Sequence, residues 1–104
     1  MNRVAVIGKL AEDPKQREFP SRVVCVGLRL RVKDKDHSYV LPVVLYGRDA
    51  NSALRYLRKG SVVAIDGRVV SATRKSGGIS VEIVSDRVEF LDGPPIREAE
   101  EKAV

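Results

Sequence analysis

Tryptophan is absent from this chain of 104 residues, and several other residue types are nearly so. It has one cysteine, one histidine and one methionine, and its aromatic residues are three tyrosines and two phenylalanines. The single cysteine, Cys25, excludes an internal disulfide framework and favours a reducing, cytoplasmic environment. One cysteine and one histidine are too few for the usual zinc sites. No apolar run approaches the ~20 residues of a membrane span, so we expect no membrane partner. We also expect no cofactor.

Catalytic patterns are equally scarce. His37 lies among charged residues, with no serine or cysteine beside it in a recognisable motif, so a plain surface histidine is favoured over a general base. Cys25 has small neighbours, which favours a packing thiol over a nucleophile. The chain carries no P-loop, no paired-carboxylate motif and no metal-ligand spacing. We therefore expect a binding protein rather than an enzyme.

Positive charge is what the chain has in excess. The formal net charge is +5, and residues 1–91 hold 17 of the 19 Lys and Arg but only 10 of the 14 Asp and Glu. A basic body with a short acidic tail suits a polyanionic partner such as nucleic acid. Charge alone leaves open a merely solvated surface, as in many small or thermophilic proteins.

Hydrophobic periodicity predicts five strands and one helix. The strands cover residues 3–10, 23–33, 39–46, 61–72 and 79–91, and the helix runs from an N-cap at Asp49 to Lys59. Pro42 indicates a position without an amide hydrogen bond, and Gly67 a bulge or barrel bend. The order β-β-β-α-β-β is that of an OB-fold, although periodicity alone allows another five-stranded barrel. The clearest period of two places one set of side chains on a single face: Val24, Val26, Leu28, Leu30 and Val32.

Two stretches carry a family resemblance. Residues 1–14 read Met-Asn-Arg-Val-Ala-Val-Ile-Gly-Lys-Leu-Ala-Glu-Asp-Pro, and residues 46–68 contain Tyr-Gly-Arg, Tyr-Leu-Arg-Lys-Gly and Asp-Gly-Arg. Both resemble the framework of bacterial single-stranded DNA-binding proteins, the SSB family. The resemblance implies an all-β domain with one helix, an OB-fold whose five-stranded Greek-key barrel has its helix between strands three and four. It also implies a nucleoid-associated protein that binds single-stranded DNA, largely without sequence specificity, in replication, recombination or repair.

The candidate binding residues combine the basic pattern with this resemblance. If the Val24 to Val32 series faces inward, three cations form an outward row that repeats at ~6.6–7 Å, close to the phosphate spacing of an extended single strand. A solvated strand face is the alternative. The set also includes residues that match basic positions of the family, residues of two basic hairpin loops, and two tyrosines. Tyr39 is the preferred base-stacking residue, whereas Tyr46 either stacks or packs in the core. The candidates are Arg3, Arg29, Arg31, Lys33, Lys35, Tyr39, Tyr46, Arg48, Arg74 and Lys75.

The other aromatic residues have structural roles in this interpretation. We expect Tyr56 and Phe90 in the core, and Phe19 as a loop anchor. Because the family usually stacks bases on tryptophans, binding here depends mainly on cations. We predict a modest affinity with a salt slope of ~0.7 per neutralised phosphate.

The predicted organisation is an OB-fold domain over residues 1–91 and a flexible tail over residues 92–104. The tail lacks the acidic recruiting segment of the family, which indicates a truncated chain or a paralogue that recruits partners differently. The resemblance also implies a homo-oligomer, dimer or tetramer, in which the first strand pairs between subunits. Two alternatives stay open: an adapter similar to the primosomal protein PriB, acting through replication-restart proteins, and an oligomeric module without a nucleic-acid role.

Overall fold

The computed structural model describes residues 1–17 and 23–91, and this part of the chain forms six strands and one helix. The helix, α1 (Gly47–Tyr56), lies between the fourth and fifth strands. Phe19 and the predicted tail lie outside the described residues. The strands are β1 (Val4–Leu10), β2 (Lys15–Arg17), β3 (Cys25–Asp34), β4 (His37–Tyr46), β5 (Val62–Thr73) and β6 (Ile79–Phe90).

Five of the strands close into a barrel. β1 pairs with β5, β5 with β6, β6 with β4 in parallel, and β4 with β3. β3 then returns to β1, where Lys9 and Leu10 lie opposite Arg31 and Leu30. This barrel, with its helix between the third and fourth of the five barrel strands, confirms the predicted OB-fold. β2 is an additional strand that pairs with β3. It is not among the predicted strands, because its three polar residues show no periodicity.

Alternation along β3 separates the barrel interior from its surface. Val26, Leu28 and Leu30 are at most 2% exposed, and Val24 and Val32 pack against the same core. The predicted inward series is therefore confirmed. Each such buried aliphatic side chain contributes about 1.5–3 kcal/mol relative to an exposed one. Burial of this series directs the intervening residues of β3 to the outer surface.

Two predicted irregularities of the strands are present. The register of β5 and β6 shifts at Asp66 and Gly67, so the expected bulge is confirmed. A Cβ on Gly67 would lie 2.1 Å from the Val84 carbonyl oxygen, which explains why only glycine fits. Pro42 lies opposite Arg29, one residue before β4 begins to pair with β6 at Val43. Its missing amide hydrogen therefore removes no bond from the β4–β6 ladder.

The helix begins earlier than predicted, and it leaves one tyrosine outside the core. Asp49 lies in the first turn, and Tyr46, in an extended conformation, takes the N-cap position without a side-chain cap. Gly47 has φ +65°, the left-handed conformation that favours glycine, and it turns the chain sharply from β4 into α1. Tyr56 is 39% exposed rather than buried, because the packed face of α1 consists of Ala50 and Ala53.

The two stretches that resemble SSB proteins contact each other. Asp13 Oδ1 accepts a hydrogen bond of 2.7 Å from the Lys59 amide. One residue on, the Gly60 amide donates to the Leu10 carbonyl oxygen at 2.9 Å, and Gly60 has φ +94°. The Asp-Pro and Lys-Gly segments thus join the end of β1 to the start of β5.

Candidate nucleic-acid interface

The outer surface of β3 carries the predicted row of cations. Arg29, Arg31 and Lys33 are exposed and alternate with the buried interior residues, so they share one face. On β4 the residues opposite them are Pro42, Val40 and Ser38. We call the outer surface of β3 and β4 the ribbon face. Its positive charges follow the strand in one line.

A fourth cation joins the row from a neighbouring strand. Lys9 of β1 lies directly opposite Arg31, and both are exposed. Like charges that face each other across a ladder destabilise a sheet unless an anion compensates them. Lys9 is not among the predicted binding residues, because only the closure of the barrel places β1 beside β3.

Beside the row, a shallow groove runs between β2 and β4. Its lining includes Gly27 and Pro42 together with Lys15, Arg17 and Arg29. Glu12 also lines it, with its Oε2 atom 3.6 Å from both Lys15 Nζ and Arg29 Nε. The first cation of the row therefore has a carboxylate partner, whereas no ion pair involves Lys9, Arg31 or Lys33 among residues 1–17 and 23–91.

An ion pair crosses the ribbon face at the start of β3. Arg17 of β2 donates to both carboxylate oxygens of Glu82 of β6, at 3.3 and 2.6 Å. This hydrogen bonding to Glu82 raises the pKa of the Arg17 guanidinium above its already high ordinary value. Gly27 lies beneath the pair, because a Cβ there would be 3.2 Å from Arg17 Nε. We call this contact the Arg17–Glu82 bridge.

Tyr46 and Cys25 form a polar pair beside the bridge. They lie opposite each other on β4 and β3, so their side chains share one side of this strand pair. Burial raises the pKa of the Cys25 thiol and of the Tyr46 hydroxyl above their ordinary values. Cys25 is fully buried, which agrees with its predicted role as a packing thiol. Tyr46 is 39% exposed. Tyr46 is therefore partly exposed on the ribbon face.

Tyr39, the preferred stacking residue, points away from the ribbon face. It lies opposite Val32, and therefore shares the side of the β3–β4 pair that continues into the barrel interior. It is 50% exposed, and its ring centroid is 6.2 Å from that of His37. The structure thus does not bring Tyr39 together with the cation row.

Comparison with known proteins decides the family. The model of the single-strand binding protein family matches residues 1–91. The chain belongs to this family. The single-stranded DNA-binding protein of Clostridium tetani is 31% identical over an aligned length of 103, and the alignment covers 88% of this chain and 71% of the relative. Single-stranded DNA-binding protein 3 of Clostridium acetobutylicum is 29% identical over an aligned length of 103, with coverages of 88% and 72%.

In this member of the single-strand binding protein family, the two basic loops lie at one end of the barrel. The parallel pairing of Val43 with Ile83 places the first residues of β4 and β6 at the same end. The turn before β4 contains Lys35, and the turn before β6 contains Arg74 and Lys75, all exposed. The loop cations thus lie at the end of the ribbon face where Lys33 ends the row.

Two predicted residues lie elsewhere. Arg3 precedes β1 and pairs with Asp66 of β5 at 3.1 Å, away from the ribbon face. Arg48 lies in the first turn of α1, two residues beyond Tyr46, where it lines a shallow groove with Arg55 and Tyr56. The structure therefore groups Arg29, Arg31 and Lys33, places Tyr46 at one end of their face, and separates Arg3 from them.

Two further findings concern other kinds of site. Within residues 1–17 and 23–91, no group of three or more His, Cys, Asp and Glu side chains is placed to hold a metal ion. The single helix in this part of the chain has 10 residues, too few to cross a membrane.

Proposed function

We propose that this chain binds single-stranded DNA, largely without sequence specificity, in DNA replication, recombination or repair. The carrying observation is a line of cations formed by Arg31 and Lys33 on the ribbon face of an OB barrel and by Lys9 of β1 beside them. None of the three belongs to an ion pair among residues 1–17 and 23–91. OB-folds bind oligonucleotides on this face, between their loops. Cations in line with an extended strand neutralise phosphates, which are common to every sequence.

Electrostatics dominates the proposed binding. Tyr46 is the one described aromatic residue that is partly exposed on the ribbon face. A base stacked on it would contribute about 1–3 kcal/mol with little dependence on base identity. Phosphate contacts by the row and by Lys35, Arg74 and Lys75 then supply most of the affinity. Such binding weakens steeply with salt, by a slope of ~0.7 for each phosphate neutralised on a single strand.

The proposed assembly is a homo-oligomer formed through β1. Val4 to Gly8 pair with β5 on one side, and no described strand pairs with their other edge until β3 joins at Lys9. Ile7 is 61% exposed there, beside the small residues Ala5 and Ala64. An unpaired edge with an apolar face is a ready interface between copies. Contact with replication-restart proteins and location at the nucleoid are further parts of the proposal.

A titration with dT oligomers of increasing length at two salt concentrations tests the binding. Arg29→Ala together with Arg31→Ala should lower the affinity at least tenfold at low salt, since two phosphate contacts are lost. Arg58→Ala together with Lys59→Ala is the matched control, because it removes the same charge from two exposed residues that follow α1 and lie outside the ribbon face. Undetectable binding at low salt, or equal effects of the two double variants, would refute the assignment.

A further inference from the structure

Two carboxylates lie within the proposed DNA-binding surface, each against cations of that surface. Glu12 Oε2 is 3.6 Å from both Lys15 Nζ and Arg29 Nε, so one oxygen lies between two positive charges. Glu82 accepts two hydrogen bonds from the Arg17 guanidinium, at 3.3 and 2.6 Å. A phosphate in the same places would meet these cations in the same way, because guanidinium binds carboxylate and phosphate with one bidentate geometry.

The Arg17–Glu82 bridge lies in the path of a strand that follows β3. The sheet order is β2, β3, β4 and β6, so a bond from Arg17 to Glu82 spans the outer side of β3 and β4. Along β3 the outward positions before Arg29 are Gly27 and Cys25, and the bridge passes over Gly27. A single strand aligned with the row therefore reaches the bridge next.

The pairs of Glu12 are suited to exchange because they contribute little to the fold. The side chains of Lys15 and Arg29 in these pairs are 74% and 63% exposed. Exposed pairs at such distances are weak and screened by salt. The Arg17–Glu82 bridge is less exposed, at 38% and 28%, and its geometry is better. It should therefore compete more strongly with an incoming phosphate.

We infer that Glu12 and Glu82 occupy phosphate positions in the free protein, so that a bound single strand displaces both carboxylates. Arg17, Lys15 and Arg29 then bind the DNA backbone. This inference rests on the proposed function and adds to it a pair of residues that limit the affinity. Removing either carboxylate while leaving its cations in place should strengthen binding.

The test compares Glu12→Gln, Glu82→Gln and their double variant with the wild-type chain in titrations of a dT oligomer. Glutamine keeps the shape of the side chain and removes its charge. Asp86→Asn is the matched control, since Asp86 is an exposed acid of β6 that also pairs with an arginine, Arg68 of β5, but does not lie against the cations of the proposed DNA-binding surface. We expect affinity gains of about two- to fivefold for Glu12→Gln and at least as much for Glu82→Gln at low salt. The gains should shrink at high salt, where screening weakens all of these pairs.

Four results of this experiment have different interpretations. If the wild-type chain and all variants fail to bind dT, the proposed function itself fails. If the wild type binds, but neither the Glu12 variant nor the Glu82 variant binds dT more tightly than Asp86→Asn, the inference is overturned and the proposed function stands. A weaker-binding Glu82→Gln with an unchanged melting temperature also overturns it, because the bridge then positions Arg17 for DNA. If Glu82→Gln lowers the melting temperature, the affinity of Glu12→Gln for dT tests the inference instead, and a value equal to that of the control overturns it.

Discussion

The ribbon face and the surface formed by β1, β5 and β6 differ in how their charges are compensated. On the ribbon face, Arg31 lies opposite Lys9 of the adjoining strand β1, and neither belongs to an ion pair within the described parts of the chain. On the other surface, Arg3 pairs with Asp66, which also lies opposite Arg87. Uncompensated cations destabilise the free protein slightly and suit a partner that brings its own negative charge. A compensated surface with an exposed Ile7 suits another protein surface instead.

A charge placed on the surface of β1 and β5 should have the strongest effect, and the affected property is the association of the proposed oligomer. Ile7→Asp should dissociate the proposed oligomer, because association would bury an unpaired carboxylate. We expect the dissociation constant to rise by about 100-fold or more, corresponding to about 3 kcal/mol. Sedimentation equilibrium over a range of protein concentrations measures it. Ile79→Asp, at an isoleucine that is 69% exposed beside the β5–β6 turn, is the control and should leave the assembly intact. If the wild-type chain is monomeric, the surface of β1 and β5 is not an interface between copies of the chain.

The next largest effect should distinguish Arg31, which has no ion-pair partner among the described residues, from Arg3, which pairs with Asp66. Arg31→Ala should weaken binding to dT about tenfold at low salt, because a charge-assisted phosphate contact is lost. Arg3→Ala should weaken it about twofold or less, since Arg3 already has Asp66 as its partner. Fluorescence anisotropy titrations of both variants measure the difference. Equal losses would show that Arg3 also contacts DNA, as the family resemblance implies, and that compensation does not mark the binding surface.

A smaller effect should distinguish the two exposed tyrosines. Tyr46→Leu should reduce the affinity about fivefold, through loss of about 1 kcal/mol of base stacking. Tyr39→Leu should reduce it less, because Tyr39 shares a side with Val32 rather than with the cation row. The same titrations at low salt, where binding is tightest, measure both losses. A larger loss for Tyr39→Leu would restore it as the stacking residue and extend the binding surface around the β3–β4 turn.

The fold could be predicted because its signals are local. Alternation along β3 needs no knowledge of its neighbours, and the glycine in β5 marked its bulge. The binding surface depends on contacts between distant residues, such as Arg17 and Glu82, which are 65 positions apart. No periodicity indicates that β2 exists or that Lys9 faces Arg31. The side on which Tyr39 lies could have been found, since the two-residue turn at Lys35 and Asp36 sets the pairing of β3 with β4.

The smallest predicted effect concerns the buried thiol beneath the ribbon face. Burial raises the folded-state pKa of Cys25 above its unfolded value of about 8.5. Below that value the thiol is protonated in both states, so it adds no dependence on pH. As pH rises above it, the unfolded chain releases the proton while the folded chain retains it, and the free energy of unfolding therefore falls. Tyr46 adds a fall of the same sign from about pH 10, the ordinary pKa of its hydroxyl.

Urea unfolding at pH 7 and pH 9.5 should show this fall as about 1 kcal/mol or less from the thiol. Cys25→Ala should lower the stability at pH 7, because a buried side chain is truncated, but it should flatten the dependence on pH between these values. An unchanged slope in that variant would assign the alkaline fall to other groups. It would also mean that the thiol of Cys25 is more accessible to water than its full burial between Arg17 and Tyr46 implies.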